Sequence, residues 1–416
     1  MKIAILTDLL NYDPAYSICG AVKNQLLMLQ MCGYNPVLVV KNGYDDSFRQ
    51  YGNPEIIEID QGKCDNVVRI DGDTEAEIEH IYNELTHHIP GFDAIVTNDL
   101  IYQPAQWKMH VAARRFAIEN PDTFWLHIVH STTHMNTASQ TGIYQKELAG
   151  KFPHSRLAVF HREELIRKAG LYGYEVDQTA IVPNAYDITE YYEPLTKKVI
   201  ADNKLWAADM IAVYPARLDR GKQPHIVIEI FSHLNEMGFY APVIIADFHS
   251  TDGDKKAYRN EMRKLAGTKT PVIFMSDYAP YHVPHKVIRE LFEYGDILIH
   301  PSRSESDPLI IPEAAWAGMG LVLNTDLRPF QQWNELIGGK FSANIDITTG
   351  QLGTTETNYS DRAGYMRGIA NQIVYHMNQN PVLVGHVRVR KERSLEAVSR
   401  LFIGALQNDN ISAVLG

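Results

Sequence analysis

The chain has 416 residues, 45% of them hydrophobic, and carries a formal net charge of -11. That length exceeds one ordinary core and predicts two domains of roughly 200 residues. The acidic balance argues against a general nucleic-acid or anionic-membrane binder, because Lys and Arg grip such partners by neutralising their phosphates.

The apolar run Lys2 to Leu6 is too short for a signal peptide and predicts a buried first strand. A loop from Thr7 to Gly20 follows, then a helix from about Ala21 to Met31 with Val22, Leu26 and Leu29 on one face and Gly33 past its end. Pro36 to Val40 is the next strand. This opening unit lacks the G-x-G-x-x-G of dinucleotide binders, which argues against a nicotinamide or flavin site. Apolar runs at Glu55 to Ile59, Ala94 to Thr97, Phe124 to His130, Leu157 to Phe160 and Ala180 to Val182 alternate with helical patterns such as Thr74 to His87. That is the rhythm of a parallel sheet wrapped by helices. Asp187 to Asn203 is polar, tyrosine-rich and without clear period, and reads as a hinge.

The second half repeats the rhythm. Strands are predicted at Met210 to Tyr214, Ala241 to Ala246, Val272 to Met275, Ile297 to Ile299 and Leu321 to Leu323. Helices are predicted near Pro224 to Glu236, Lys255 to Leu265, Lys286 to Tyr294 and Asp361 to Met377, and the tail from about Arg388 to Leu406 is helical. The fold class is α/β, with one domain over 1–190, a second over 204–385, and a tail over 386–416 expected to pack back toward the first.

Charge is uneven: residues 1–100 hold 6 Lys+Arg against 16 Asp+Glu, whereas 101–170 hold 9 against 5, with six histidines besides. A local anionic partner therefore stays open. Cys19, Cys32 and Cys64 form no C-x-x-C pattern, and three thiols cannot all pair within one chain, which points to a reduced, cytoplasmic protein. No window approaches the roughly 20 apolar residues of a transmembrane segment.

Two stretches carry candidate chemistry. In AVYPARLDRGKQPHIVIEIF a strand runs into Arg217, Gly221 and Lys222 and then a helix. Two cations beside a helix amino terminus suit a diphosphate, because backbone N–H groups, the helix dipole and both charges favour anionic oxygens; the alternative is an ordinary solvated basic loop. In DILIHPSRSESDPLIIPEAAWAGMGLVLNT, Glu305 and Glu313 bracket a helix start between two strands. Either carboxylate alone reads equally as a capping device. Together with the cations they form what a nucleotide sugar needs, Glu313 accepting ribose hydroxyls and Glu305 orienting sugar hydroxyls.

With those residues in view, the chain resembles the retaining glycosyltransferases of the GT-B fold, particularly the large family 4 with its E-x7-E signature. Here that signature is Glu305-SDPLIIP-Glu313. CGAVKNQLLMLQMCGYNPVLVV looks like the family's first glycine loop and helix, WLHIVHS like the strand whose terminal histidine faces the reacting sugar, IVPNAYD like the interdomain crossing at Asn184 and Asp187, and Arg217 with Lys222 like the R-x4-K clamp. The resemblance implies two Rossmann-like domains facing each other across a cleft. It also implies catalytic roles for Arg217, Lys222, His130 and Glu305, and donor binding by Gly20, Asp307, Leu309, Ile310 and Glu313. The co-substrate is a nucleotide-diphospho-sugar, with no other cofactor and no metal. The acceptor is a saccharide first, with a modified DNA base as the alternative; a nucleotide-sugar 2-epimerase and a non-catalytic sugar-nucleotide binder are the rivals. The oligomeric state is left open.

The chain also departs from the family. Pro308 stands where a glycine is expected and has no N–H to offer a ligand, and Asp307 beside it is an added carboxylate. Asp247, Phe248 and His249 replace a glycine-rich turn, so base recognition is not carried over. His127, His130 and His134 have a spacing that a strand running into a loop would point in different directions, which disfavours a metal site. Asp71-Gly-Asp73 and Asp252-Gly-Asp254 imitate a D-x-D but lie in turn-like runs, where turns or caps are the expected roles.

Overall fold

The computed structural model describes residues 1–62, 70–130, 142–148, 151–247, 255–279, 281–325, 327–336 and 361–407. The chain divides into two compact units, Met1–Asp187 with Arg393–Gly416, and Ile188–Glu392.

Unit 1 is built on a seven-stranded parallel sheet: β1 (Ile3–Leu6), β2 (Val37–Lys41), β3 (Glu55–Ile59), β4 (Ala94–Asn98), β5 (Phe124–Ile128), β6 (Ser155–Val159) and β7 (Thr179–Ile181), in spatial order β3-β2-β1-β4-β5-β6-β7. Both faces of such a sheet are covered, which is why its central strands read as unbroken apolar runs. Ala4, Leu6, Val39 and Ile95 face one way, toward α2 (Thr74–His88), α3 (Trp107–Glu119), α4 (Gln145–Leu148) and α5 (Arg162–Tyr172). Ile3, Ile5, Leu38 and Val96 face the other, where α1 (Ser17–Met31) contributes Val22, Leu26 and Leu29. Helix α1 begins four residues before the predicted start, so Gly20 lies in its first turn and not in the preceding loop. Its end is set by Gly33, whose φ of 81° is the left-handed conformation that glycine adopts without strain.

Unit 2 begins with α6 (Pro194–Asp202), inside the stretch read as a hinge. Periodicity was hidden there because a polar residue, Thr196, is fully buried and donates to Glu290. Strands β8 (Ala212–Tyr214), β9 (Val243–Ile245), β10 (Val272–Phe274), β11 (Ile297–His300) and β12 (Gly320–Leu323) form a parallel sheet in the order β10-β9-β8-β11-β12. On one face lie α7 (Pro224–Glu236), α8 (Lys255–Ala266) and α12 (Arg362–Gln379); on the other, α6, α9 (His285–Tyr294), α10 (Ile310–Trp316) and α11 (Arg328–Leu336).

Helix α13 (Pro381–Arg393) closes unit 2 through Arg390, 2% exposed, whose guanidinium meets the buried Asp296 carboxylate at 2.7 and 3.0 Å and donates to the carbonyls of Ala208 and Tyr294. The expected single tail helix is thus two helices. The second, α14 (Leu395–Leu406), is capped by Ser394 and buries Val398, Phe402 and Ala405 in the same cluster as α1 of unit 1.

The two Rossmann-like units implied by the GT-B resemblance are both present. In each sheet the strand order reverses direction once, between β1 and β4 in unit 1 and between β8 and β11 in unit 2. Loops leaving the carboxyl ends of strands at such a reversal are the standard ligand position in open α/β sheets.

Candidate functional site

In unit 2 the two loops at the reversal are the two stretches singled out in the sequence. The loop after β8 carries Arg217, makes a tight turn over Arg220–Lys222, and enters α7 through Gln223 and Pro224. Pro224 occupies the first helical position, where its missing N–H costs nothing. Gln223 holds a left-handed φ of 55° and is fully buried, with its amide donating 2.7 Å to the Pro301 carbonyl. The Arg303 N–H donates to the Gly221 carbonyl at 2.9 Å. These bonds clamp the loop leaving β8 to the loop leaving β11.

The clamp brings Lys222 and Glu305, 83 residues apart, into an ion pair; their side chains are 15% and 12% exposed. Glu305 Oε1 also lies 2.9 Å from Nε2 of His300, the last residue of β11. Burial alone would push the Glu305 carboxyl up, but the hydrogen bonds from His300 and Lys222 and the lysine charge outweigh it and hold the group below its usual range. Glu305 is therefore an ionised, acceptor-only group at neutral pH. Arg217 is half-exposed on the same loop as Lys222, with Nε 3.3 Å from Asp219 Oδ2. Tyr214, at the end of β8, sends its hydroxyl 2.5 Å to the Lys222 carbonyl and so fixes the backbone of the lysine turn.

Beyond Glu305, Asp307 Oδ1 accepts the indole N–H of Trp333 at 3.0 Å. Pro308 is buried and its carbonyl accepts from Ile311 N at 3.2 Å, starting α10. Leu309 is 71% exposed, whereas Ile310 packs against both apolar clusters of the unit. Glu313 sits in the first turn of α10, with Oε1 3.0 Å from His285 Nε2. Gly318, with φ 81°, ends the helix before β12. Asp247, beyond β9, is fully buried and is held by Ser276 N and Oγ at 2.9 and 2.7 Å and by Arg259 at 2.8 Å. Phe248, His249, Asp252 and Asp254 lie outside the described residues.

In unit 1, His130 follows the end of β5. Its N–H donates 2.8 Å to Asp99 Oδ1, and Nε2 lies 3.0 Å from Asn98 Oδ1, which is also bonded to Gln25 of α1. Burial lowers the His130 pKa, with Asp99 opposing. Asp99 itself adopts a left-handed φ of 51°, and with Asp8 it stands at the β1/β4 reversal. Gly20 has open space where a Cβ would point. His127 is buried and bonded to Thr97, not to His130, and His134 lies outside the described residues. Asp71 accepts from Thr74 Oγ1 and Asp73 N, which makes its D-x-D a turn. Among the described residues no group of three or more His, Cys, Asp or Glu is arranged to hold a metal ion.

Unit 2 thus brings Arg217, Lys222, Glu305, Asp307, Leu309, Ile310 and Glu313 together on two adjoining loops and the helix that follows, while His130 and Gly20 belong to unit 1. Sequence reasoning missed His300 and Gln223. The signal for the first was its place between the β11 run and Pro301-Ser302, five positions before Glu305.

No protein-family profile matches the chain, and no curated protein matches it. Similar solved structures include Anabaena HepE in complex with UDP and glucose, at 13% identity over 98% of this chain and 99% of that one with a TM-score of 0.35. They also include a sucrose-phosphate synthase from Thermosynechococcus elongatus, at 16% identity over 98% of each chain with a TM-score of 0.36. A glycosyltransferase from Rickettsia africae is 14% identical over 98% of this chain and 97% of that one, also with a TM-score of 0.36. The description of both units as Rossmann-like rests on their own strand orders. No helix among the described residues is long and apolar enough to cross a membrane.

Proposed function

We propose that the chain is a glycosyltransferase that binds a nucleotide-diphospho-sugar on the paired loops of unit 2 and moves the sugar to an acceptor hydroxyl with retention of configuration. The observation that carries this reading is the convergence of Lys222 and Glu305 from the two loops at the β8/β11 reversal, with Arg217 on the same loop as Lys222. A cation pair and an ionised carboxylate in that position match the two ends of a sugar diphosphate.

In this reading Arg217, Lys222 and the N–H groups at the start of α7 stabilise the charge that builds on the departing diphosphate while the anomeric carbon becomes cationic. The C1–O bond to the diphosphate breaks as the acceptor oxygen bonds C1 on the same face, and the acceptor proton passes to a leaving-group oxygen. Glu313 takes the ribose hydroxyls and Glu305 a sugar hydroxyl. Unit 1 is assigned the acceptor, a saccharide in the first instance, and the family resemblance assigns His130, bonded to Asn98 and Asp99, a hydrogen bond to the sugar. The charge neutralisation supplied by Arg217 and Lys222 makes the transfer metal-independent. The cytoplasm, where nucleotide sugars are made, is the compartment this reading favours.

Thermal-shift screening of nucleotide sugars, followed by acceptor trials with the best donor, tests the assignment. Binding with acceptor-dependent release of nucleoside diphosphate is expected. Conversion of the donor to an epimer without acceptor, or the absence of any turnover or donor hydrolysis, would overturn it.

A further inference from the structure

The inference rests on the nucleotide-sugar reading and concerns a residue that reading does not use. We propose that His300 is a positioning residue for the donor sugar: its Nε2–H, together with Lys222, occupies Oε1 of Glu305 and leaves Oε2 turned toward the sugar to accept a hydroxyl.

Both donors to the carboxylate converge on one oxygen. Lys222 Nζ and His300 Nε2 each reach Oε1, the latter at 2.9 Å, and among the described residues no donor reaches Oε2. The two donors differ in what they fix. A lysine ammonium is a rotating point charge on a flexible stem, which neutralises a carboxylate without setting its plane. The His300 ring is 1% exposed at the end of a central strand, with the Phe330 ring 5.3 Å and the Tyr214 ring 6.3 Å away, so its N–H direction is set by the fold.

The ring's other nitrogen identifies the proton's position. His300 Nδ1 is buried and has no hydrogen-bond partner among the described residues. A protonated ring would bury an unsatisfied N–H there, which costs more than leaving a lone pair unused. The ring is therefore neutral with its hydrogen on Nε2, the tautomer that donates to Glu305.

The test compares wild type with His300→Leu and His300→Gln for binding of UDP, ADP and GDP and of their glucose conjugates by calorimetry. Glutamine can place an amide N–H near the position of Nε2; leucine cannot. Wild type is expected to bind one conjugate more tightly than its parent diphosphate. His300→Leu should lose that preference by about tenfold while binding the parent diphosphate within twofold of wild type, and His300→Gln should restore most of it. Retention of the preference by His300→Leu overturns the positioning role, as does an equal loss for conjugate and parent diphosphate, which marks a merely structural residue. Wild type that binds none of the six ligands overturns the nucleotide-sugar reading and this role with it. As a readout independent of ligand and of variant folding, imidazole nitrogen NMR of the wild type at pH 7 should show His300 neutral and protonated on Nε2; a hydrogen on Nδ1 overturns the proposal.

Discussion

Arg217 Nε stands 3.3 Å from Asp219 Oδ2, two residues along the same loop, and Asp219 is 7% exposed whereas Arg217 is 43% exposed. The carboxylate is a fixed anchor, and the guanidinium is held by it while still meeting solvent. A planar guanidinium kept at the solvent edge of this loop has the fork geometry that suits an anionic oxygen. Replacing Arg217 with Ala should lower turnover by about 100- to 1,000-fold, the usual effect of removing one stabilising donor from a developing charge. Steady-state kinetics with the identified donor checks this, and near-normal transfer by the variant would sink the assignment of the clamp.

Glu313 offers a different signature, because the proposed reading assigns it the ribose and not the phosphates. Glu313→Gln keeps the shape but exchanges one acceptor oxygen for an N–H. Nucleoside diphosphate binding is expected to weaken about tenfold, or roughly 1.4 kcal/mol. Inorganic pyrophosphate binding should be unchanged. Calorimetry with both ligands separates the two effects, and equal weakening of both would remove Glu313 from the ribose.

Two buried histidines make unit 1 sensitive to acid. Burial pushes His110 and His127 from an ordinary value of 6.5 down to about 3, and the neighbouring His127 also disfavours a charge on His110. Their folded-state values lie below the unfolded ones, so the stability they confer is fully present above pH 6.5. As pH falls from about 6.5 toward 3, the unfolded chain takes up protons that the folded chain refuses, and each histidine removes up to about 1.4 kcal/mol per pH unit. Urea unfolding followed between pH 7.5 and 4.5 measures the slope. His127→Gln should flatten it, and an unchanged slope would locate the acid sensitivity elsewhere.

Asp296 and Arg390 form the most deeply buried ion pair described above. Arg390→Met leaves the Asp296 carboxylate with the Ile211 N–H at 2.8 Å as its one partner among the described residues. Unfolding of unit 2 should become easier by about 3 to 5 kcal/mol, the range for stranding one member of a buried pair. The double variant Arg390→Met/Asp296→Asn should recover part of the loss. Denaturant midpoints for the two variants decide the point, and a single variant as stable as wild type would contradict the packing.

The strands were legible because parallel sheets bury both faces and so write themselves as short apolar runs; Ala94–Asn98, buried at every position, runs one residue past its predicted end. Helix α7 was equally readable, from Pro224 to Glu236. Helix α3 escaped because Lys108 and His110 are buried on it and interrupt the apolar period, with Lys108 paired to Glu77. The same reason hid α6. At the candidate site, the residue types in each loop were visible from spacing. That Lys222 and Glu305 touch was not visible, because the contact is made by strand order and not by neighbourhood in sequence. His300 was invisible for a related reason: a lone histidine at a strand end says nothing until the carboxylate it faces is known.

Helix α14 packs beside α1 in the apolar layer of unit 1, yet unit 2 is inserted between them in the chain. During synthesis, every residue of Ile188–Glu392 is made before the last piece of unit 1's core exists. Until then the surface that will receive Val398, Phe402 and Ala405 stays uncovered. The inserted unit can fold first, and the unit whose strands were made first must finish last. A chain stopped at residue 392 would hold a whole second unit and a first one lacking α14, so that helix supplies the closing step of unit 1.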